Sequence, residues 1–314
     1  MYHPRLAVIG CGYWGKNLVR NFAELGALEA VVDPMLSTAV ALAEQFKVKA
    51  LTLEAALADP AISGVAIAAP AELHADLAVK AFAAGKHVFV EKPIALTVAD
   101  AEKMKNAAET AGKSLMVGHL LQYHPAFEAL LAQVKAGALG KLRYAYSNRL
   151  SLGKFRVEEN VLWSFAPHDV SMLLALFGAE PVRQSGSGGA FVTQGIEDEY
   201  RLNMEFADGE RAHIFASWLH PFKEHRLVVV GEKAMAVFED SAAKPEEKLR
   251  LYKHSIDTSG RAPEPKKAEA EPILYEKDEP LKRECRHFVD VCAGKHKPRT
   301  DADEAIRVLK VLTK

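Results

Sequence analysis

Three glycines, two acids, a lysine, a histidine and a short run of cations are the residues of this chain whose types and spacing suit them to chemistry. The run Leu6-Ala-Val-Ile-Gly10-Cys-Gly12-Tyr-Trp-Gly15 breaks an apolar strand directly into the pattern G-x-G-x-x-G. Such a loop cradles a dinucleotide pyrophosphate: the first glycine permits the turn, the second admits the phosphates, and the third lets the next helix sit close to the strand. That helix, starting near Lys16, aims its positive dipole end at the anion. The next apolar run, Leu28-Glu-Ala-Val-Val-Asp33, ends in an acid roughly 20 residues on, placed to accept from ribose hydroxyls and to repel a 2′-phosphate, which favours NAD over NADP.

Further along, His87-Val-Phe-Val-Glu91-Lys92-Pro93 sets a lysine at a strand's carboxyl end, where open α/β sheets gather their ligands. Pro93 fixes the backbone beside it. In Val161-Leu-Trp-Ser164-Phe-Ala-Pro167-His168-Asp169, Ser164 reads as a cap and Pro167 as a first-turn residue, so His168 projects from a helix start. The helix dipole there disfavours imidazolium and keeps the ring able to accept a proton. Between them, Arg149, Lys154 and Arg156 form a cationic run suited to an acidic substrate through charge-assisted hydrogen bonds. An exposed strand-end lysine, a helix-capping histidine and solvated cations are the plainer readings of the same residues. His74, His119 and His124 have no grouping of acids or cysteines around them in the sequence, so no metal is expected. Tyr13 can reach toward a nicotinamide pocket.

The elements that must hold these residues follow from hydropathy patterning. With 314 residues, 49% of them hydrophobic, two domains are expected. Forty Lys and Arg against 41 Asp and Glu leave no excess for a polyanion, which argues against nucleic acid. Three unpaired cysteines, Cys11, Cys285 and Cys292, suit a reducing compartment; with a first strand beginning near Met1 and no long apolar run, a cytoplasmic location is expected. Up to about residue 120 strand and helix alternate: strands at Leu6–Ile9, Ala30–Val32, Gly64–Ala68, Val88–Val90 and Leu115–Val117, with helices at Leu36–Phe46, His74–Ala84 and Val98–Ala111. Uniformly apolar strands between amphipathic helices imply a doubly wound parallel sheet of the Rossmann type over 1–120. Longer alternating runs, Leu142–Asn148, Glu199–Phe206, Arg211–Trp218, Leu227–Val230 and Ala234–Glu239, imply an open, mostly antiparallel sheet over 121–314. Helices are expected near Pro125–Lys135, Phe165–Phe177, Leu281–Val291 and Ala302–Leu312, the last two closing the second domain. Ser241 to Pro272 reads as a solvated loop with one strand-like piece, Lys248–His254. The class is thus α/β followed by α+β, and the uncovered sheet face predicts self-association as a homodimer or homotetramer.

On these residues the chain resembles the Gfo/Idh/MocA family of NAD(P)-dependent oxidoreductases, which act mostly on sugars and polyols. The likeness rests on Gly10-Cys-Gly-Tyr-Trp-Gly15, Ala69-Pro70 with His74, Glu91-Lys92-Pro93, Pro167-His168-Asp169 and Pro298-Arg-Thr-Asp301, and spans nearly the whole chain. It implies a cofactor surface of Gly10, Gly12, Tyr13, Trp14, Gly15, Asp33, Ala69, Pro70, His74, Glu91 and Lys92, with proton transfer by Lys92 and His168. Many members carry Asp or Asn four positions before the histidine; Ser164 stands there instead and removes a carboxylate from the expected trio. Within the family, Asn160 to Asp169 with Gly153-Lys-Phe-Arg156 is similar to sugar-nucleotide members that oxidise C3 of a UDP-linked N-acetylated hexuronic acid for surface polysaccharide. That likeness implies a UDP-sugar held by Lys92, Arg149, Lys154, Arg156, Asn160, Trp163, Ser164 and His168, and in some relatives the hydride is discharged on 2-oxoglutarate. An inositol or another sugar as substrate, or an NAD sensor without turnover, are the alternatives.

Overall fold

The computed structural model describes residues 3–313, which divide into two compact units, 3–123 with 278–313, and 124–277. The first unit is built on six parallel strands in the order β3-β2-β1-β4-β5-β6. These are β1 (Leu6–Ile9), β2 (Leu28–Val32), β3 (Lys49–Ala50), β4 (Gly64–Ile67), β5 (His87–Val90) and β6 (Leu115–Val117). All four residues of β1 and of β4 are buried, as a sheet covered on both faces requires. Helices α1 (Gly15–Glu24), α2 (Leu36–Phe46), α3 (Leu53–Ala58), α4 (His74–Ala83) and α5 (Val98–Ala111) make the crossovers. Their ends follow local chemistry. Thr97 caps α5 by accepting from the Asp100 amide at 3.1 Å, and Gly112 closes it at φ +61°. The strand order reverses beside β1, which puts the ligand crevice at the carboxyl ends of β1 and β4.

The second unit carries an eight-stranded sheet in the order β16-β13-β12-β11-β7-β10-β9-β8. After helix α6 (Pro125–Lys135) come β7 (Leu142–Leu152), the short α7 (Val161–Phe165) and α8 (Pro167–Phe177). The remaining long strands are β8 (Arg183–Gly189), β9 (Glu199–Glu205), β10 (Arg211–Ser217), β11 (Leu219–Gly231), β12 (Met235–Glu239) and β13 (Leu249–Tyr252). Pairing is antiparallel throughout except where β10 runs parallel to β7. Alternation is clean in β9 and β10: Leu202, Met204, Ala212, Ile214 and Ala216 are buried, and the residues between them are not. The intervening face carries a stacked Tyr146–His213 pair and the Arg201 guanidinium over the Phe215 ring. Helices α6, α7 and α8 contact the sheet through β12, through β9 and β10, and through β7 and β10 respectively.

Three sequence expectations need correction. Within Ser241 to Pro272 the expected strand-like piece is present as β13, but the rest is not one loop: it holds α9 (Pro245–Lys248), the small pair β14 (Ser255–Asp257) and β15 (Glu264–Lys266), and the edge strand β16 (Ala270–Pro272). The helix expected over Phe165–Phe177 is two helices joined at Ala166, and Ser164 lies inside the first of them, so it caps neither. The third concerns α10 (Pro280–Cys292) and α11 (Ala302–Leu312), which return to the first unit instead of closing the second: the chain passes from one unit to the other at 123/124, close to the expected 120, and passes back at 277/278. Phe288 of α10 packs 5.7 Å from Phe89 of β5 and 6.3 Å from Phe22 of α1. Thr300 extends the parallel sheet: its carbonyl accepts from the Val117 amide at 2.8 Å and its hydroxyl donates to the Val117 carbonyl at 2.6 Å. The Pro298-Arg-Thr-Asp301 ending is thus an edge to β6 followed by the cap of α11, where Asp301 accepts from the Glu304 amide. Among the described residues no helix is long and apolar enough to cross a membrane.

Candidate active site

Each glycine of the first loop answers to a different neighbour. Gly10 turns at φ +87°, and a Cβ there would lie 2.8 Å from the Ala68 carbonyl carbon at the end of β4. On Gly15 a Cβ would lie 1.9 Å from the Gly10 carbonyl oxygen, so α1 can start this close to β1 only without a side chain. Around Gly12 nothing stands within 4 Å of the Cβ position. That cradle, kept open by a glycine that no protein contact requires, fits a dinucleotide pyrophosphate. No side chain caps α1 at Trp14, so its N-terminal dipole faces the loop uncompensated.

Asp33 closes the loop from the end of β2. Its carboxylate accepts from the Cys11 amide at 2.8 Å and from the Met35 amide at 2.9 Å. Cys11 itself is buried, and desolvation together with Asp33 pushes its thiol up to about 12, which leaves it inert inside the loop. Tyr13 is 87% exposed with the Lys16 ammonium 5.5 Å over its ring.

The Glu91-Lys92-Pro93 segment leaves the carboxyl end of β5, with the Lys92–Pro93 peptide cis. Glu91 is buried, and its carboxylate accepts from the Trp14 indole nitrogen at 2.5 Å, so the residue before the lysine is bonded to the phosphate loop. Burial pushes Glu91 up to about 7 in spite of that bond and of the neighbouring Lys92. His74, expected on the cofactor surface with Ala69 and Pro70, is buried instead. Its two ring nitrogens lie 2.9 Å from the Ala69 and Pro93 carbonyls, and burial holds its pKa below the ordinary value. It ties the loop after β4 to the turn that carries Lys92.

In the second unit His168 is the second residue of α8, half-buried behind Pro167 at the first position, as the sequence predicts. The cap expected of Ser164 is supplied one helix earlier: Asn160 accepts from the Trp163 amide at 3.1 Å and donates to Glu197 at 2.8 Å. Asp198 gathers the following loop, accepting from the Trp218 indole and from the Phe191 and Val192 amides at 2.5, 2.7 and 2.8 Å.

The cationic run does not act as one group. Arg149 points inward from β7 and grips fully buried Asp169 through two nitrogens at 2.5 and 3.2 Å, while the Ser147 hydroxyl donates to the same carboxylate at 2.5 Å. Its guanidinium also lies 3.3 Å from His225, which shares Asp240 with His124. Arg149 therefore holds the α8 start that bears His168, with its charge engaged by a buried carboxylate. Lys154 and Arg156 lie exposed beyond the end of β7, Arg156 paired with Glu159 at 3.2 Å. Two buried acids were not singled out by the sequence reading: Asp169 as the anchor of Arg149, and Glu284 on α10, whose carboxyl oxygens are buried without a hydrogen-bond partner.

Residues 4–119 match the family model described as oxidoreductase family, NAD-binding Rossmann fold (GFO/IDH/MocA), and residues 127–237 match its C-terminal domain model. The chain is 31% identical, over 69% of its own length and 68% of the relative's, to a UDP-N-acetylglucosamine 3-dehydrogenase of Acidithiobacillus ferrooxidans. A crystal form of that organism's UDP-N-acetylglucosamine 3-dehydrogenase superposes with a TM-score of 0.87 at 26% identity, covering 99% of this chain and 96% of the other. A scyllo-inositol 2-dehydrogenase (NAD(+)) of Bacillus subtilis is 29% identical over 73% of this chain and 72% of its own.

Proposed function

The chain belongs to the GFO/IDH/MocA family of NAD-dependent oxidoreductases, and from that premise we propose that it oxidises the C3 hydroxyl of a UDP-linked N-acetylated sugar to the 3-keto sugar nucleotide. When bound, NAD supplies the hydride acceptor. His168, presented in the first turn of α8, takes the hydroxyl proton. Lys92 hydrogen-bonds the same oxygen and stabilises the alkoxide as it develops. The observation that carries the reading is the bond from Trp14 to Glu91, which ties the strand end that carries Lys92 to the cofactor cradle.

Support for a sugar nucleotide comes from the Acidithiobacillus relative, and Lys154 and Arg156 remain exposed to meet a diphosphate or a uronate. With Arg149 committed to Asp169, an uncharged N-acetylhexosamine is favoured no less than the hexuronic acid. The inositol dehydrogenase relative supports a second reading with a free polyol, in which Lys154 and Arg156 are idle. Incubation with NAD and a panel of UDP-N-acetylglucosamine, its uronic acid, free sugars and inositols, with and without 2-oxoglutarate, separates these. Formation of reduced nicotinamide and loss of two mass units from a UDP-sugar is the expected result, and turnover of inositol alone rejects it. The uncovered face of β7, β9 and β10 is the surface through which a homodimer or homotetramer forms, testable by sedimentation.

A further inference from the structure

We propose that His225 is a positioning residue for His168: its neutral ring accepts from Arg149 and fixes the guanidinium that holds Asp169 at the start of α8. The proposal rests on the reading of His168 as the base, and it assigns His225 no contact with sugar or cofactor.

The contacts that carry the inference all lie within the second unit. Arg149 on β7 and His225 on β11 stand directly opposite each other in the antiparallel ladder. The His225 backbone is held on both sides, its amide donating to the Ser241 hydroxyl at 3.0 Å and its carbonyl accepting from the Asp240 amide at 2.9 Å. The ring is thereby set with Nδ1 3.3 Å from Arg149 Nη1, while Arg149 Nε and Nη2 are engaged by Asp169. A guanidinium has only donors, so Nδ1 is the acceptor and the proton of the ring sits on Nε2. Asp169 follows His168 in the first turn of α8 and is fully buried. The guanidinium that fixes this acid therefore has its remaining nitrogen fixed by His225.

The groups around the ring leave this contact to Nδ1 and make it sensitive to acid. Asp240 lies 3.9 Å from the same Nδ1, past hydrogen-bond reach, and is already served by His124 Nε2 at 3.3 Å and Lys248 Nζ at 3.2 Å. His124 accepts from the Ala126 amide on Nδ1, so its own proton is on Nε2 and aimed at Asp240. Lys223 adds positive charge from β11 itself, whereas Glu224, Arg226 and Glu239 pair with one another. Burial, Arg149 and Lys223 hold His225 below its ordinary value, against the pull of Asp240 and Asp169. A proton taken up on Nδ1 turns the acceptor into a donor facing Asp240 and sets imidazolium against guanidinium, which displaces Arg149 and loosens its grip on Asp169. The hold is thus complete above the ordinary histidine value near 6.5 and is lost as pH falls below it toward the ring's own value.

The full-length protein with 15N-labelled histidine, free of ligand, tests the contact, the His225 signals being those lost in His225→Asn. At pH 7.5 the ring shifts should show Nδ1 bare and Nε2 protonated; a proton on Nδ1 overturns the proposal. His225→Leu removes the acceptor, whereas His225→Asn offers an amide oxygen close to the place of Nδ1 and cannot titrate. The His168 ring signals should move in His225→Leu and keep their place in His225→Asn. With the sugar substrate at pH 8, kcat should fall about tenfold in His225→Leu and be rescued to within about twofold in His225→Asn, the NAD dissociation constant staying within about twofold in both. On the acid side the wild type carries two protonations, on His168 and on His225, so log kcat should steepen from about one decade per pH unit toward about two, and in His225→Asn it should stay near one. A kcat in His225→Leu within twofold of wild type, or the wild-type acid limb in His225→Asn, overturns the proposal. If His225→Leu does not fold, the ring shifts of the wild type and the acid limb of His225→Asn decide. If no sugar is turned over, the reading of His168 as base fails, and the ring shifts of His225 and of His168 in the two variants still decide the positioning.

Discussion

Replacing Arg149 by alanine separates a positioning role from a substrate role more sharply than any other surface or site change. The Arg149 side chain is 10% exposed and that of Asp169 1%. Taking away the guanidinium leaves the carboxylate with only the Ser147 hydroxyl, and breaking one side of a buried pair costs about 3–5 kcal/mol. At about 2–4 °C per kcal/mol for a unit of this size, the second unit should melt on the order of 10 °C lower. The double replacement Arg149→Met with Asp169→Leu removes both charges for similar volume and should recover most of that loss. Calorimetric melting and urea unfolding of the three proteins measure it. Arg149→Ala melting within a degree or two of wild type, with a raised Michaelis constant for the sugar nucleotide, would refute the reasoning and return Arg149 to the substrate.

Gly12→Ala should fold as wild type, since nothing stands near its Cβ, yet bind NAD at least tenfold more weakly in calorimetry; Gly15→Ala, 1.9 Å from the Gly10 carbonyl oxygen, should lower the melting temperature as well. Equal melting of the two variants would count against the assigned roles. Asp33→Ala frees the Cys11 and Met35 amides and removes the charge that repels a 2′-phosphate, so the kcat/KM ratio for NAD over NADP should fall by about tenfold or more. An unchanged ratio would show that the selectivity lies elsewhere. His87, held down to about 4 by burial and by Lys113, accepts from the Ser114 amide as a neutral ring. Because it takes up a proton on unfolding, its contribution is present above the ordinary value near 6.5 and is lost as pH falls toward 4. The urea midpoint should drop between pH 7.5 and 5 less in His87→Asn than in wild type, and identical slopes would exclude this contribution.

Local patterns were legible where neighbours in sequence are neighbours in space. The apolar runs of β1, β4 and β5 are each continuous, and the glycine spacing and the acid at Asp33 lie along the consecutive elements β1, α1 and β2, so the first sheet and its cradle could be read directly. β8 could not: Arg183 to Gly189 has no apolar alternation, and its glycines are there because Tyr200 of β9 crosses them, a Cβ on Gly188 falling 2.6 Å from that ring. Nor does periodicity say which sheet a helix will cover. α10 shows an amphipathic stripe whose partner, the Phe89 and Phe22 surface, lies far back along the chain. Arg149 looked like a free cation for the same reason, since its acid stands 20 residues on across a helix start. Glu284 was hidden because a buried acid inside a helix reads as an ordinary polar position until its surroundings are known.

The central claim is that Lys92 and His168 handle the proton of the oxidised hydroxyl. Single-turnover reduction of NAD by UDP-N-acetylglucosamine should be measured in wild type, Lys92→Met and His168→Asn, with cofactor affinity determined alongside. The account predicts that each variant loses about 10²–10⁴-fold in rate while its NAD dissociation constant stays within about twofold of wild type. Near-wild-type rates in both variants would contradict it.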